Sequence, residues 1–184
     1  MNHQIALWHG EHVRFARLLD LLEEQVARFH EATQPPDYEL MRDIVYYLRN
    51  VTDRLHHPRE DVAFACLVER DPEMLQPVNR LLQEHRVIAV AGEELLSHLD
   101  AIAADVLVAR AAVEKAAATY LVYYRHHLAT EEAEVLPRAA RLLTQHDWAA
   151  VAAAVPAGHD PLAGGDFDAG FRDLRSQRTE ARKS

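Results

Sequence analysis

The sequence predicts an all-α fold, an antiparallel up-down-up-down bundle of four helices. Three observations carry this. Alanine, leucine, valine, glutamate and arginine dominate a chain that is 49% hydrophobic, and its few glycines and prolines fall mainly in clusters, the composition of a helical protein. Four segments repeat apolar residues at alternating spacings of three and four, the period of a helix with one buried face. Two of the breaks between them hold proline, which cannot continue a helix.

Taken in order, the first segment places Ile5, Trp8, His12, Phe15, Leu19, Leu22, Val26 and Phe29 on one seam, and His12 holds a core position in it. The stretch "TQPPD", Thr33 to Asp37, ends it. The second helix starts near Asp37 and runs through Ile44, Leu48 and Leu55 to about Val68. Pro58 lies inside it and is expected to bend it or interrupt its hydrogen bonding, at a cost of roughly 3 kcal/mol, and to bias His57 away from helical geometry. "ERDP", Glu69 to Pro72, breaks the pattern. The third stripe is Val78, Leu81, His85, Ile88, Gly92, Leu95, Leu99 and Ile102, again with one histidine in an apolar seam. The fourth covers about Ala109 to Leu143, with Val113, Ala117, Tyr120, Tyr124, His127 and Glu131 on one face. Residues 1–150 are thus read as the bundle, and 151–184 as an irregular C-terminal extension, Gly- and Asp-rich after Pro156 and charged at its end.

The chain of 184 residues suits one domain with a sizeable core. A net charge of −9 without a Lys/Arg block argues against nucleic acid or anionic membrane as partner. No apolar run approaches the roughly 18–20 residues of a membrane span, and "MNHQIALWHGEH" lacks the layout of a signal peptide. The single cysteine, Cys66, excludes an intramolecular disulfide and a multi-Cys metal site, and its apolar context reads as an inert core thiol. A soluble cytoplasmic protein is expected.

Two stretches, "RLHHPREDVAF" and "RHHLATEEAEVL", pair a histidine with a glutamate one helical turn later: His56 with Glu60, and His127 with Glu131. In an up-down bundle, residues equidistant from a connecting turn lie at one height. The midpoint of His12 and His56 is residue 34, inside "TQPPD". The midpoint between the His56/Glu60 pair and His85 falls at Asp71-Pro72. Both turns follow from proline alone, so the polar seam residues meet in one layer. Extended to His127/Glu131, the same geometry predicts a third turn near residues 104–109.

Four histidines and two glutamates in a bundle core need protons, hydrogen bonds or metal. Imidazole with carboxylate suits a first-row transition metal, and two glutamates can bridge two ions while leaving positions open for water or a small molecule. His12, His56, Glu60, His85, His127 and Glu131 are therefore the candidate ligands. Asp61 follows His57 by four, so a shift of one residue in register exchanges that pair for His56/Glu60; Pro58 favours the latter. His126 has Thr130 four later, which favours His127/Glu131. His9 lies near His12 as an outer neighbour or a surface group. Tyr47, Tyr123 and Tyr124 are packing residues, with one of them available to hydrogen-bond a ligand. His3, His30, His98, His146 and His159 have no matching partners.

At these residues the sequence resembles the hemerythrin-like (HHE cation-binding) family. The matching pieces are "GEHVRFARLLDLLE", "HHPREDVAF", "LLQEHR" and "HHLATEEAEVLPRA", spanning residues 5 to about 145. The resemblance implies an antiparallel four-helix bundle holding two non-haem iron ions, oxo- and carboxylate-bridged, that bind oxygen, nitric oxide or peroxide or respond to iron or redox state. Oxygen-carrying hemerythrins place a second histidine four residues after the third-helix histidine; here that position is Ala89, which makes the site more open, like that of bacterial HHE domains. The cysteine-bearing N-terminal segment of iron–sulfur cluster repair relatives is not found in this sequence. The leading expectation is a binding or sensing module rather than an enzyme. The alternatives are a di-iron oxidase, peroxidase, nitric oxide reductase-like or repair enzyme, and a metal-free helical interaction protein. The ferritin-like carboxylate enzymes use Glu-x-x-His pairs, and this sequence has none.

Overall fold

The computed structural model describes residues 3–30, 34–154, 160–163 and 165–183, and no β-strand occurs among them. Helix α1 (His3–Ala27) is closed by a 3-10 turn (Arg28–His30). Helix α2 (Tyr38–Val51) passes through a π-helical turn (Thr52–His56) into α3 (His57–Arg70). A 3-10 turn (Pro72–Met74) leads into α4 (Leu75–Ala103). Helix α5 (Arg110–Thr130) passes through a second π turn (Glu131–Val135) into α6 (Leu136–Leu142), followed by α7 (Gln145–Ala153) and α8 (Phe167–Lys183).

The ends are set by local chemistry. The Asp37 carboxylate accepts from the Leu40 N–H at 2.8 Å, a cap worth about 1 kcal/mol; Thr33 of the same turn lies outside the described residues. Helix α4 stops just before the 104–109 turn. Asp105 takes a left-handed φ of 57°, and the N–H groups of Val106 and Asp105 return to the carbonyls of Ala101 and Ile102 at 2.9 and 3.0 Å. That is a Schellman termination with aspartate in the place usually held by glycine. Helix α7 opens on a capping box between Thr144 and Asp147.

The α-helical hydrogen bonding is interrupted beside Pro58 by a π turn, in line with the sequence expectation. Contrary to it, His57 keeps helical φ and ψ of −54° and −41°, and the chain stays helical throughout. Each π turn is followed two residues on by a proline, Pro58 after His56 and Pro137 after Val135. Proline lacks an N–H and collides with the carbonyl four residues back, and one extra residue in the turn relieves both faults while the rod continues.

Helix α1 packs on α2 and α5, and α4 packs on α2 and α5 as well; α3 packs on α4, α6 and α7. The apolar interior falls into two clusters. One contains Phe15, Leu18, Leu19, Leu22, Ile44, Leu48, Ile88, Leu95 and Tyr124; the other contains Trp8, Phe64, Leu67, Val78, Leu81, Val135 and Leu136. His12, between Trp8 and Phe15, His85, between Leu81 and Ile88, and Glu131, between Leu128 and Val135, lie between the two clusters along their helices. The glycine in the α4 stripe has a packing reason: a Cβ on Gly92 would sit 2.9 Å from the Tyr120 ring.

The C-terminal extension is not irregular throughout. Helix α8 packs on α2, and Leu162, Phe167 and Phe171 join the first apolar cluster. Asp160 accepts from the Tyr47 hydroxyl at 2.7 Å and from Arg14 at 3.0 Å. Arg178 donates to buried Asp43 at 2.8 Å and lies 3.3 Å over the Tyr46 ring. Glycines and aspartates dominate the stretch before α8 and mask the Phe167, Phe171, Leu174 spacing that makes the helix amphipathic.

Candidate metal centre

Among the described residues, two groups of buried side chains bring potential ligand atoms within 4.8 Å of one another: His12, His56, Glu60 and Glu131, and His57, Glu60, His85 and His127. All six residues singled out from the sequence are there. Helix α1 supplies His12, the first π turn and α3 supply His56, His57 and Glu60, α4 supplies His85, and α5 with the second π turn supplies His127 and Glu131.

The Nε2 atoms of His12 and His56 are 2.9 Å apart, and those of His85 and His127 are 3.2 Å apart. Each glutamate divides its oxygens between the two groups. Oε1 of Glu60 is 2.8 Å from His56 and 3.5 Å from His12, while its Oε2 is 3.6 Å from His85. Oε2 of Glu131 is 3.5 Å from His12, while its Oε1 is 3.2 Å from His127. Both glutamates are 0% exposed, and none of their four oxygens has a hydrogen bond of acceptable geometry. A buried carboxylate without such bonds costs several kcal/mol. A bound metal cation would supply the missing partners, so the donor set fits one.

The opposite edges of the imidazoles also meet carboxylates. Nδ1 of His12 lies 2.7 Å from Glu132, that of His85 2.9 Å from Asp61, and that of His127 3.5 Å from Glu84; that of His56 makes a short contact with Glu11. A carboxylate on Nδ1 fixes the tautomer that leaves the Nε2 lone pair facing inward. The four pairs form a closed circuit. Glu11 of α1 holds His56, Asp61 of α3 holds His85, Glu84 of α4 holds His127, and Glu132 in the π turn after α5 holds His12 of α1. Each of these carboxylates is next in sequence to a residue that faces the centre: Glu11 to His12, Asp61 to Glu60, Glu84 to His85, Glu132 to Glu131. One residue along a helix turns the side chain by about 100°, enough to aim it at the neighbouring helix.

Charge follows the geometry. Burial alone would lower the His12 pKa, but Glu132, Glu60 and Glu131 outweigh it and raise it to about 10. Burial is likewise outweighed at His127, where Glu131 and Glu84 raise it to about 10. Glu60 is held well below the usual range; burial pushes it up, and the imidazoles of His56, His12 and His85 prevail. His57 is pushed well below its ordinary value by burial and then by His85 and His127, which keeps it neutral with a lone pair to give.

His57 is the main departure from the sequence reading, which set it aside because of Pro58. In a regular helix His56 and His57 point about 100° apart; at the end of the π turn both face inward, so neither replaces the other. The outer carboxylates Glu11, Glu84 and Glu132 also escaped notice, because a charged residue beside a seam reads as solvated surface. Asp61 lies outside the centre, behind His85. His126 is half-exposed, 3.0 Å from Glu84 and 2.8 Å from Arg80. His9 is exposed and lies 3.1 Å from Glu132. Tyr124 is buried beside His57, with ring centroids 6.3 Å apart, whereas Tyr123 is exposed and Tyr47 binds Asp160. Cys66 is half-buried and belongs to neither ligand group. His3, His98 and His146 also belong to neither group; the side chains of His30 and His159 lie outside the described residues.

No helix is long and apolar enough to cross a membrane among the described residues. No curated protein and no solved structure matches the chain. A family model, that of the hemerythrin HHE cation binding domain, matches residues 3–139, a span that contains every residue of both ligand groups and all the carboxylates behind them. The chain belongs to the hemerythrin HHE cation-binding domain family.

Proposed function

We propose that the chain is an antiparallel up-down-up-down four-helix bundle built around a non-haem di-iron centre. It binds or senses a small ligand, oxygen, nitric oxide or peroxide, or handles iron under oxidative or nitrosative stress. The observation that carries this reading is the pair of buried glutamates whose unpartnered oxygens divide between two groups of histidines. His12 and His56 would hold one ion, His85 and His127 the other with His57 beside it, and Glu60 and Glu131 would bridge them. When bound, the irons supply redox chemistry and a place for a small ligand. The protein supplies oriented imidazoles, a dry apolar wall of Trp8, Phe15 and Phe64, and carboxylates that hold the Nδ1 protons. Neither nucleic acid nor membrane is a partner in this account, and the location is cytoplasmic.

Protein purified from iron-supplemented cells tests it, by metal analysis and absorption spectra before and after exposure to air. Two irons per chain with near-ultraviolet absorption from an oxo bridge are expected. Iron-free protein whose fold is indifferent to Glu60→Ala and Glu131→Ala would instead indicate a helical interaction module. A turnover enzyme is the second reading, favoured by the cleft of about 170 Å³ that reaches His57 and His85. Steady-state consumption of peroxide or nitric oxide well above that of free iron would support it.

A further inference from the structure

One of the five imidazoles is held differently from the rest. His12, His56, His85 and His127 each bring Nε2 within 3.6 Å of a Glu60 or Glu131 oxygen. His57 makes no such contact: its nearest carboxylate among the described residues is Asp53, 3.7 Å from Nδ1, on its own helix and not in the inter-helix circuit. Its ring stacks on His85 with centroids 4.0 Å apart and planes at 16°, a contact that fixes no hydrogen bond.

His57 is also where the interior opens. A cleft between α3 and α4 is lined by Asp53, His57, Pro58, His85, Arg86 and Ala89 among others, with a volume of about 170 Å³. A water occupies about 30 Å³ of liquid, so the cleft has room for a ligand of a few heavy atoms. The small side chain of Ala89, half-buried on the rim, keeps it open.

We infer that the α3–α4 cleft is the route by which small lone-pair donors reach the centre, and that His57 at its inner end is an exchangeable donor which such a ligand displaces or joins. The inference rests on the di-iron reading. It divides the five histidines by role: four build the site, and the fifth stands between it and solvent. The π turn before Pro58 is what brings His57 inward, so the same irregularity builds the wall and the gate.

The full-length protein is loaded with iron, and metal content is measured before any ligand is added. A wild-type protein without iron would refute the di-iron reading itself. Given wild-type loading, His57→Ala is expected to retain both metals and to show a saturable spectral response to added imidazole at lower concentration than wild type, where His57 competes. Loss of one metal would make His57 a fixed ligand, and a spectrum and imidazole response identical to wild type would place it off the metal; either result overturns the exchangeable role. Ala89→Phe fills the rim and leaves every candidate ligand in the sequence unchanged. It is expected to slow azide association by at least about tenfold with metal content unchanged. An unchanged azide rate would overturn the cleft as the route, and this test stands even where His57→Ala fails to fold.

Discussion

Glu60 and Glu131 lie in the interior with no hydrogen bonds of acceptable geometry, an arrangement that needs positive charge beside it, from a bound cation or from protonated imidazoles. Either Glu60→Ala or Glu131→Ala is expected to abolish bound metal in elemental analysis while far-ultraviolet circular dichroism remains helical. The carboxylates behind the imidazoles act more gently. Glu84→Gln is expected to weaken metal binding by roughly 10–100-fold at unchanged stoichiometry, read by competition with a coloured chelator. The raised pKa values near 10 at His12 and His127 set a pH dependence for metal-free protein. A folded pKa above the unfolded value of about 6.5 means the folded state binds the extra proton. That stabilisation is complete below about pH 6.5 and is lost as pH rises toward 10. Chelator-stripped protein is thus expected to lose denaturation midpoint across this window, and metal-loaded protein, whose imidazoles are already deprotonated, to lose much less. At this scale the six seam residues were legible because a polar residue in an apolar stripe is conspicuous. His57 and the outer carboxylates were not, since their orientation depends on a turn geometry and on neighbouring helices.

The two π turns are the elements that matter most. Each sits beside a proline and each contains a centre-facing residue, His56 in the first and Glu131 in the second. The sequence announces that something happens at Pro58 but not which way the chain resolves it, because a kink, a break and a widened turn all answer the missing N–H. Pro58→Ala removes the reason for the wide turn. It is expected to raise the stability of the metal-free protein by about 1–3 kcal/mol in urea denaturation. Metal affinity should fall in the same variant, because regularising the turn rotates α3, and with it Glu60, relative to α2. A variant that gains stability and keeps its affinity would show that the π turn does not depend on the proline. The loop at 104–109 was legible from histidine heights rather than from its own residues. Its Asp105 terminates α4 in a conformation that aspartate tolerates better than most side chains, so no glycine marks it.

Across the whole molecule, the polar layer lies between two apolar clusters, and the C-terminal segment adds to only one of them. Leu162, Phe167 and Phe171 extend the cluster on the far side of the centre from Trp8. Truncation after Ala154 is therefore expected to destabilise the fold by about 3–5 kcal/mol, from the lost apolar burial, while iron content per folded chain stays the same. Calorimetry with metal analysis on the truncated protein checks both halves. A smaller probe of the same contact is Arg178→Ala, expected to cost about 1–3 kcal/mol because it weakens the pairing of buried Asp43. The all-helical fold was legible at this scale because its apolar stripes run through four long segments. Helix α8 was not, because its short apolar stripe follows a Gly- and Asp-rich stretch and only tertiary packing gives it a partner.

The measurement that tests the central claim most directly is anomalous diffraction at the iron edge from crystals of iron-loaded protein. Two iron peaks are expected inside the bundle, one beside His12 and His56 and one beside His85 and His127, with an oxygen of Glu60 and of Glu131 on each. A single peak, or iron found only at surface carboxylates, would contradict the account.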